Sequence, residues 1–170
     1  EDLTLTENAQ PALMATTLAV FRALQSEGLK LSDAKFVAGH SLGEYSALAM
    51  AESLSISDAA KLLRIRGRAM QNAVPVGVGA MAAILGLPYS DLVEITKQAA
   101  SNGVCQAAND NDPSQVVVSG HKGAVERAIE IAKEAGAKRA ILLPVSAPFH
   151  SELMAPASLE MKDALSTISI

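Results

Sequence analysis

The chain has 170 residues, of which 49% are hydrophobic and 19% are charged, and its formal net charge is −4. This length suits one domain, or one domain with a small insert, and the hydrophobic fraction is sufficient for a core. The negative charge gives no reason to expect nucleic-acid binding, and the aromatic residues, at 3%, are too few for base stacking. No apolar run is long enough to cross a bilayer, so no membrane partner is expected.

Cysteine usage and the N-terminal sequence bear on the compartment. The single cysteine, Cys105, cannot form an internal disulfide, which favours a reducing compartment. No basic-then-apolar stretch at the start resembles a signal peptide, and we therefore expect a cytoplasmic protein. Histidine and cysteine do not cluster at ligand spacing, so we predict no metal and no cofactor.

The first predicted helix begins near Pro11, with Thr6 and Asn8 as possible caps, and ends at Gly28. Its apolar positions recur at helical spacing. A short buried strand is predicted next, at residues 36–38.

Residues 39–43, Gly-His-Ser-Leu-Gly, fit the G-x-S-x-G pattern of a nucleophile elbow. The predicted strand precedes them and a predicted helix to about Ala51 follows, which is the context that the motif requires. Side chains at positions 39 and 43 should clash where the helix crosses the strand. The helix start directs N–H groups at the serine oxygen, where negative charge develops in acyl transfer. The pattern predicts Ser41 as a nucleophile, and a chance serine in a glycine-flanked turn is the alternative.

A further helix is predicted from Asp58 to Ala73, capped by Ser57, with Arg66 in the middle of its apolar stripe. The other basic residues fall on the opposite face as ordinary solvated charges: Lys61, Arg64 and Arg68. A guanidinium on a core face needs an anion or several acceptors. Its head either reaches solvent or a nearby carboxylate, or it holds a ligand carboxylate through two parallel hydrogen bonds. Its position shortly after a candidate nucleophile favours the ligand.

From Gly77 the pattern changes to alternating short strands and helices. Strands are predicted at residues 79–86, 104–108, 115–119 and 140–145, with a turn at 109–113 and helices at 91–100 and 123–135. The order β-α-β-β-α-β is ferredoxin-like. A last helix is predicted from Ser151 toward Leu165, disturbed by Pro156, and the beginning of a strand at 168–170.

These elements predict an α/β fold in two parts. A hydrolase-like core with a parallel sheet comprises residues 1–76 and 147–170. A ferredoxin-like subdomain comprises residues 77–146.

A serine nucleophile needs a base, and the chain has three histidines. His40 adjoins Ser41, and neighbouring side chains on an elbow diverge. His121 is interpreted as a surface or capping residue. His150 follows a predicted strand in a proline-stiffened turn, where functional residues of α/β proteins collect, and it is the best candidate by elimination.

The third member of a triad is left open. Asp112 and Glu152 are available, but neither has a distinguishing context. A dyad whose histidine is oriented by a backbone carbonyl is as consistent with the sequence as a triad.

A set of motifs runs along the whole chain in one order. In order and spacing they closely resemble the malonyl-CoA:acyl-carrier-protein transacylase family. The motifs are Gly39-His40-Ser41-Leu42-Gly43-Glu44-Tyr45, Arg66-Gly67 with Met70-Gln71, Gly79-Ala80-Met81, Ala107-Ala108-Asn109, Gly120-His121 and Pro148-Phe149-His150-Ser151. The resemblance implies a hydrolase-like core and a ferredoxin-like subdomain, with the active site in the gap between them.

The resemblance also implies residue roles. Ser41 becomes the acylated nucleophile, His150 its base and acid, and Arg66 the partner of the malonyl carboxylate. Leu42 supplies one N–H of the oxyanion hole. Three further residues line the site: His40, Asn109 and Phe149. A second oxyanion donor, from a Gly-Gln-Gly-Ser-Gln stretch, and the carbonyl that orients the histidine are absent from residues 1–170, so the resemblance implies a fragment.

The implied reaction moves malonyl from malonyl-CoA to the phosphopantetheine thiol of acyl carrier protein, in fatty-acid biosynthesis. Lys138 and Arg139, with Arg127 and Lys133 nearby in sequence, are candidates for receiving an acidic carrier protein. Three alternatives stay open: an acyltransferase domain of a polyketide or fatty-acid megasynthase, a serine esterase, and an inactive fragment that only binds.

Overall fold

A computed structural model describes residues 2–169 of the chain. It is a mixture of α and β structure that divides into two compact units, one made of residues up to Ala69 and from Leu159 onward, the other of Met70–Ser158. None of the helices described there has the length and apolar character that crossing a membrane requires. In chain order the elements are α1 (Thr6–Ser26), α2 (Gly43–Met50), α3 (Ile56–Ala73), β1 (Gly79–Leu85), α4 (Tyr89–Ala100), β2 (Cys105–Asp112), β3 (Gln115–His121), α5 (Lys122–Glu134), β4 (Arg139–Leu142) and α6 (Ala155–Ser166).

The first unit is built on helices. Its core joins apolar side chains of α1, α2 and α3 to the C-terminal part of α6. The buried members are Met14, Leu18, Ala49, Leu54, Ala59, Leu62, Leu63 and Met161. Much of the predicted stripe on α1 nevertheless faces outward, because Leu13, Val20 and Leu24 are exposed.

The contact between α1 and α3 explains why the predicted start of the first helix is wrong. Pro11 lies inside α1, where its missing N–H leaves the carbonyl of Glu7 without a helical partner. Arg64 of α3 donates from Nη1 to that carbonyl oxygen at 2.8 Å. The helices approach so closely that a Cβ on Gly67 would lie 2.5 Å from the Cα of Glu7. Arg64 is therefore a structural residue and not an ordinary solvated charge.

Two other helix ends differ from the prediction. The hydroxyl of Ser55, not that of Ser57, caps α3 by accepting the N–H of Asp58 at 3.0 Å. Pro156 lies in the first turn of α6, where proline fits because the N–H is not needed. It does not disturb that helix.

The strand predicted at residues 36–38 is not formed, and Phe36 is 90% exposed. A strand takes its backbone hydrogen bonds from a neighbouring strand, and the described part of the first unit contains none. The strand predicted at 168–170 reaches Ile170, which lies outside the described residues, and residues 168–169 are not in a strand.

The second unit contains a four-stranded sheet in the order β2-β3-β1-β4. Each neighbouring pair is antiparallel, and the elements follow one another as β-α-β-β-α-β, in the order predicted. Helices α4 and α5 pack their apolar residues against one face of the sheet, around Ile84, Val116 and Val118. The parallel pairing predicted for the chain does not occur in the described residues.

Strand β2 is longer than predicted, because the polar run that was interpreted as a turn continues the pairing with β3 as far as Asp112. Edge strands accept polar residues, since one side of the strand faces solvent. Register shifts between Ala107 and Asn109 and between Asp110 and Asp112 interrupt the pairing, as β-bulges do. At the other edge, β4 stops at Leu142, short of the predicted Val145.

The second face of the sheet receives the chain that follows β4. Met81 and Ala83 of β1 and Val117 of β3 form a small buried cluster there. Phe149 packs against this cluster, which places the segment that carries His150 on the sheet.

Candidate functional site

Ser41 has a left-handed backbone conformation, with φ at +52°. This region is unfavourable for a residue with a Cβ, so the surrounding turn must hold the serine there. The N–H of Gly43 donates to the carbonyl of His40 at 2.9 Å and closes the turn. Helix α2 begins at Gly43, and the sharp turn into a helix that the motif predicts is therefore present. The exposed His40 contributes its backbone carbonyl to this turn.

The two glycines of the motif are not equivalent. A Cβ on Gly39 would lie 2.0 Å from the backbone carbon of Gly43 and 2.3 Å from the nitrogen of Glu44. A Cβ on Gly43 would meet nothing within 4 Å. The predicted clash is confirmed for Gly39 and is wrong for Gly43 among the described residues.

Leu42 lies at the N-terminal end of α2 as its N-cap residue. The N–H groups of residues 43–45 donate to the carbonyl oxygens of residues 40–42. The Leu42 N–H takes no part in those turn bonds and directly follows Ser41 in the chain. It is placed at the positive end of a helix, where backbone N–H groups attract developing negative charge.

Arg66 and Ser41 come together in the first unit, 25 positions apart in sequence. Arg66 donates from Nη2 to the Oγ of Ser41 at 3.0 Å and from Nη1 to the Oε1 of Gln10 at 2.6 Å. The guanidinium carbon lies 6.0 Å from the centroid of the Tyr45 ring. The half-buried arginine head therefore reaches the candidate nucleophile and not the bulk solvent.

The electrostatics of this cluster leave Arg66 available to an anion. Burial lowers the pKa of its guanidinium, and the nearby Tyr45 and Glu44 act in the opposite direction. Burial raises the pKa of Tyr45, Arg66 lowers it and Glu44 raises it further. An arginine stays protonated in a protein. The hydroxyl and amide groups that it contacts are uncharged, so a carboxylate would be a stronger partner than either.

Gln10 belongs to this cluster although it was not predicted from the sequence. Its side chain is 3% exposed, and it donates from Nε2 to the Oγ1 of Thr6 at 2.8 Å while accepting from Arg66. A polar residue four positions before the buried Met14 carries the same signal as Arg66, a polar group on an apolar helix face. The pattern was not recognised because the predicted helix began at Pro11, which left Gln10 outside the helix.

His150 and Phe149 lie in the second unit. His150 is exposed and has a φ of +59°, so it lies in the left-handed region, as do three other described non-glycine residues, Ser41, Glu52 and Ser101. Its neighbours Pro148 and Ser151 are buried, and the Ser151 hydroxyl donates to the Pro148 carbonyl at 2.8 Å. The pairing of His150 with Ser41 remains a prediction.

Three other residues that the sequence analysis named lie in the second unit. Asn109 is half-buried on β2 at the register shift. His121 accepts the N–H of Val104 on its Nδ1 at 2.9 Å, which is a structural contact. Asp112 accepts the hydroxyl and the N–H of Ser114, and those hydrogen bonds lower the pKa of its carboxyl group.

Within residues 2–169, no three His, Cys, Asp or Glu side chains are grouped so that they could hold a metal ion. Cys105 is a buried free cysteine. Burial raises the pKa of its thiol to about 11, with a smaller opposing effect of Arg127. The thiol is therefore protonated at neutral pH and is a poor nucleophile.

A family model described as "Acyl transferase domain" matches residues 1–170. The chain belongs to this acyl transferase family. It is 52% identical over 171 residues to the malonyl CoA-acyl carrier protein transacylase of Bacillus subtilis, covering 100% of this chain and 53% of that protein. The acyl transferase chain thus spans about half the length of the curated relatives that it matches.

Solved structures also match nearly the whole of this chain and about half of their own length. An acyl-carrier-protein-S-malonyltransferase from Bartonella henselae matches with a TM-score of 0.92 at 59% identity, over 98% of this chain and 54% of that one. The malonyl CoA-acyl carrier protein transacylase of Coxiella burnetii matches with a TM-score of 0.95 at 45% identity, over 99% and 52%. A third match, at 44% identity and a TM-score of 0.93 over 98% and 53%, is a malonyl-transacylase in complex with its type II PKS acyl-carrier protein.

Replacing the two motif glycines separately tests the elbow. Gly39→Ala should lower the free energy of unfolding by about 2–4 kcal/mol, because the new methyl group meets backbone atoms that cannot move independently. Gly43→Ala should change it by less than about 1 kcal/mol, since the position is open and helical. Urea denaturation of both variants measures the difference, and equal losses would contradict this account of the turn.

Proposed function

We propose that the protein transfers malonyl from malonyl-CoA to the phosphopantetheine thiol of acyl carrier protein, through a malonyl-Ser41 intermediate. The observation that carries the proposal is the 3.0 Å hydrogen bond from Arg66 to the Oγ of Ser41. It places a fixed positive charge beside a strained serine at a helix N-terminus. The names of the similar proteins support the same reaction, in fatty-acid biosynthesis.

The proposed architecture is that of the predicted two-part fold. Residues 1–76 and 147–170 contribute to a hydrolase-like core, and residues 77–146 form a ferredoxin-like subdomain. The elbow at Ser41 and the observed β-α-β-β-α-β order support two parts of these kinds, whereas the compact units of the structure divide at Met70 and Leu159. The free Cys105 suits a reducing compartment, and we place the protein in the cytoplasm.

In the first half of the reaction, His150 takes the proton of the Ser41 hydroxyl as the oxygen attacks the thioester carbonyl. The Leu42 N–H stabilises the oxyanion that forms. The carbon–sulfur bond then breaks, and the coenzyme A thiolate takes the proton from His150. In the second half the carrier thiol gives its proton to His150 and attacks the serine ester, after which Ser41 recovers its proton.

Arg66 supplies the selectivity in this mechanism. Its two donating nitrogens contact Ser41 and Gln10, and a guanidinium can turn such a pair of donors to the two oxygens of one carboxylate. A malonyl group has that carboxylate and an acetyl group lacks it. Binding at Arg66 also fixes the acyl chain beside the nucleophile, which favours transfer to a thiol.

Intact-mass analysis after incubation with malonyl-CoA tests the proposal. The natural protein that contains this sequence should gain one malonyl group, and Ser41→Ala should gain none, because the ester oxygen is lost. Rapid hydrolysis without transfer to a carrier thiol would indicate an esterase instead. Absence of an adduct with any acyl-CoA would contradict the proposal and favour a protein that only binds.

The role of Arg66 predicts a substrate-dependent effect. Arg66→Ala should lower kcat/KM for malonyl-CoA about 100-fold, since two charge-assisted hydrogen bonds are lost. Its effect on any transfer of acetyl groups from acetyl-CoA should be less than about fivefold, because acetyl makes no such bonds. Arg68→Ala is the matched control, because this exposed arginine on the same helix pairs with Glu7. Equal losses for both substrates would contradict the assignment.

Of the four basic residues considered for carrier docking, Lys138 and Arg139 form the proposed surface, and both are exposed. Arg127 is used differently, because its Nε donates to the carbonyl of Ala99 at 3.0 Å, near the end of α4. Lys133 pairs with Glu130 at 2.8 Å.

Charge reversal tests this surface. The pair Lys138→Glu and Arg139→Glu should raise KM for the carrier protein about tenfold and leave KM for malonyl-CoA unchanged, since rim charges act on association with the acidic partner. Lys97→Glu, on α4, is the control. An unchanged KM for the carrier would place its contact elsewhere.

A further inference from the structure

The turn that carries His150 is attached to the sheet on its N-terminal side. The N–H of Leu143 donates to the carbonyl of Met81 at 2.8 Å. The Pro148 ring lies directly on Gly79, where a Cβ would be only 2.3 Å from the proline Cγ. Strand β1 therefore receives the segment that enters the turn.

On its C-terminal side the turn is attached to strand β2 by one side chain. Gln106 donates from Nε2 to the Oε1 of Glu152 at 3.0 Å, and its own Oε1 accepts the N–H of Glu152 at 2.7 Å. The amide thus holds both the side chain and the backbone of a residue that lies two positions after His150. Gln106 itself is fixed on β2 by the register that pairs it with Ser119 of β3.

The conformation of His150 requires such attachment. A left-handed backbone is unfavourable for a residue with a Cβ, and it persists only where neighbouring contacts impose it. The entry to the turn packs through Phe149 on the buried cluster of the sheet. Within the turn the Ser151 hydroxyl bonds to the Pro148 carbonyl, and the exit has the two hydrogen bonds to Gln106, which one substitution at Gln106 can alter together.

We propose that Gln106 is a positioning residue for His150. Its amide holds Glu152 against β2, so the turn is attached to the sheet at both ends. This attachment fixes the backbone of His150 and therefore the position of its imidazole. The inference rests on the proposed function in its assumption that His150 serves as the base for Ser41. We call the two hydrogen bonds between Gln106 and Glu152 the clamp. The clamp accounts for Glu152 without a catalytic role, because its carboxylate accepts a hydrogen bond from Gln106.

An exchange of the two side chains tests the clamp in the natural protein that contains this sequence. Gln106→Glu sets two carboxylates against each other and should lower kcat for malonyl transfer about tenfold, with KM for malonyl-CoA nearly unchanged. Glu152→Gln alone keeps an acceptor for the Gln106 amide and should stay within about twofold. The double variant restores one amide and one carboxylate in exchanged positions and should recover kcat to within about threefold.

A control variant and an NMR measurement distinguish the role of Gln106 from the proposed malonyl transfer. Glu94→Ala removes the ion pair with Lys97 on α4 and should leave kcat unchanged. The ring NMR signals of His150, assigned by comparison with His150→Gln, should shift in Gln106→Glu and return in the double variant.

The outcomes separate the two claims. If the unmodified protein is not acylated by malonyl-CoA, the proposed function fails and the ring signals alone decide the clamp. Unchanged ring signals in Gln106→Glu, an unchanged kcat in an active protein, or a double variant no better than Gln106→Glu would overturn the role of Gln106. A tenfold loss from Glu152→Gln alone would do so too, because it would give that carboxylate a role of its own.

Discussion

The hydrogen bond from Arg64 to the carbonyl of Glu7 supports the arrangement of the first unit. Proline inside a helix leaves an unpaired carbonyl, and this one is satisfied by a cation from another helix at 2.8 Å. Arg66 of the same helix also reaches α1, where it donates to Gln10 at 2.6 Å. The helix that carries the cation beside Ser41 is thus attached to α1 in part through the carbonyl that Pro11 leaves unpaired.

The same cluster explains how selectivity and reactivity can be coupled in the proposed reaction. In the structure the guanidinium of Arg66 donates to the hydroxyl of Ser41, the proposed nucleophile. A carboxylate is a better acceptor than a hydroxyl or an amide, so a malonyl group would draw the guanidinium toward itself and leave the serine oxygen free to attack. A substrate without the carboxylate leaves that donor on Ser41.

The sequence was most informative where one local pattern decides the structure. Helical and strand periodicity predicted the β-α-β-β-α-β order of the second unit, and the glycine-flanked serine predicted the strained turn at Ser41. Arg66 was identified because a charged residue on the apolar face of a helix is unusual, whether or not it is buried. Those signals lie within a few residues of each other along the chain, so they need no knowledge of tertiary contacts.

The failures share a different physical cause. Gln10 and Arg64 act through partners about 56 positions away, and spacing within one helix does not indicate such partners. The polar run that continues β2 was interpreted as a turn because edge strands lack the alternation that marks a half-buried strand. The strand predicted at residues 36–38 failed since pairing depends on a neighbour and not on local propensity.

The buried state of Cys105 has a consequence for any protein that handles thioesters. Thiolates attack thioesters readily, so a reactive cysteine in such a protein would compete for the acyl group. With a pKa of about 11, this cysteine is almost entirely in its thiol form at neutral pH. The chain's one thiol is thus a poor nucleophile at neutral pH, and in the proposed reaction the thiol that accepts the acyl group belongs to another molecule.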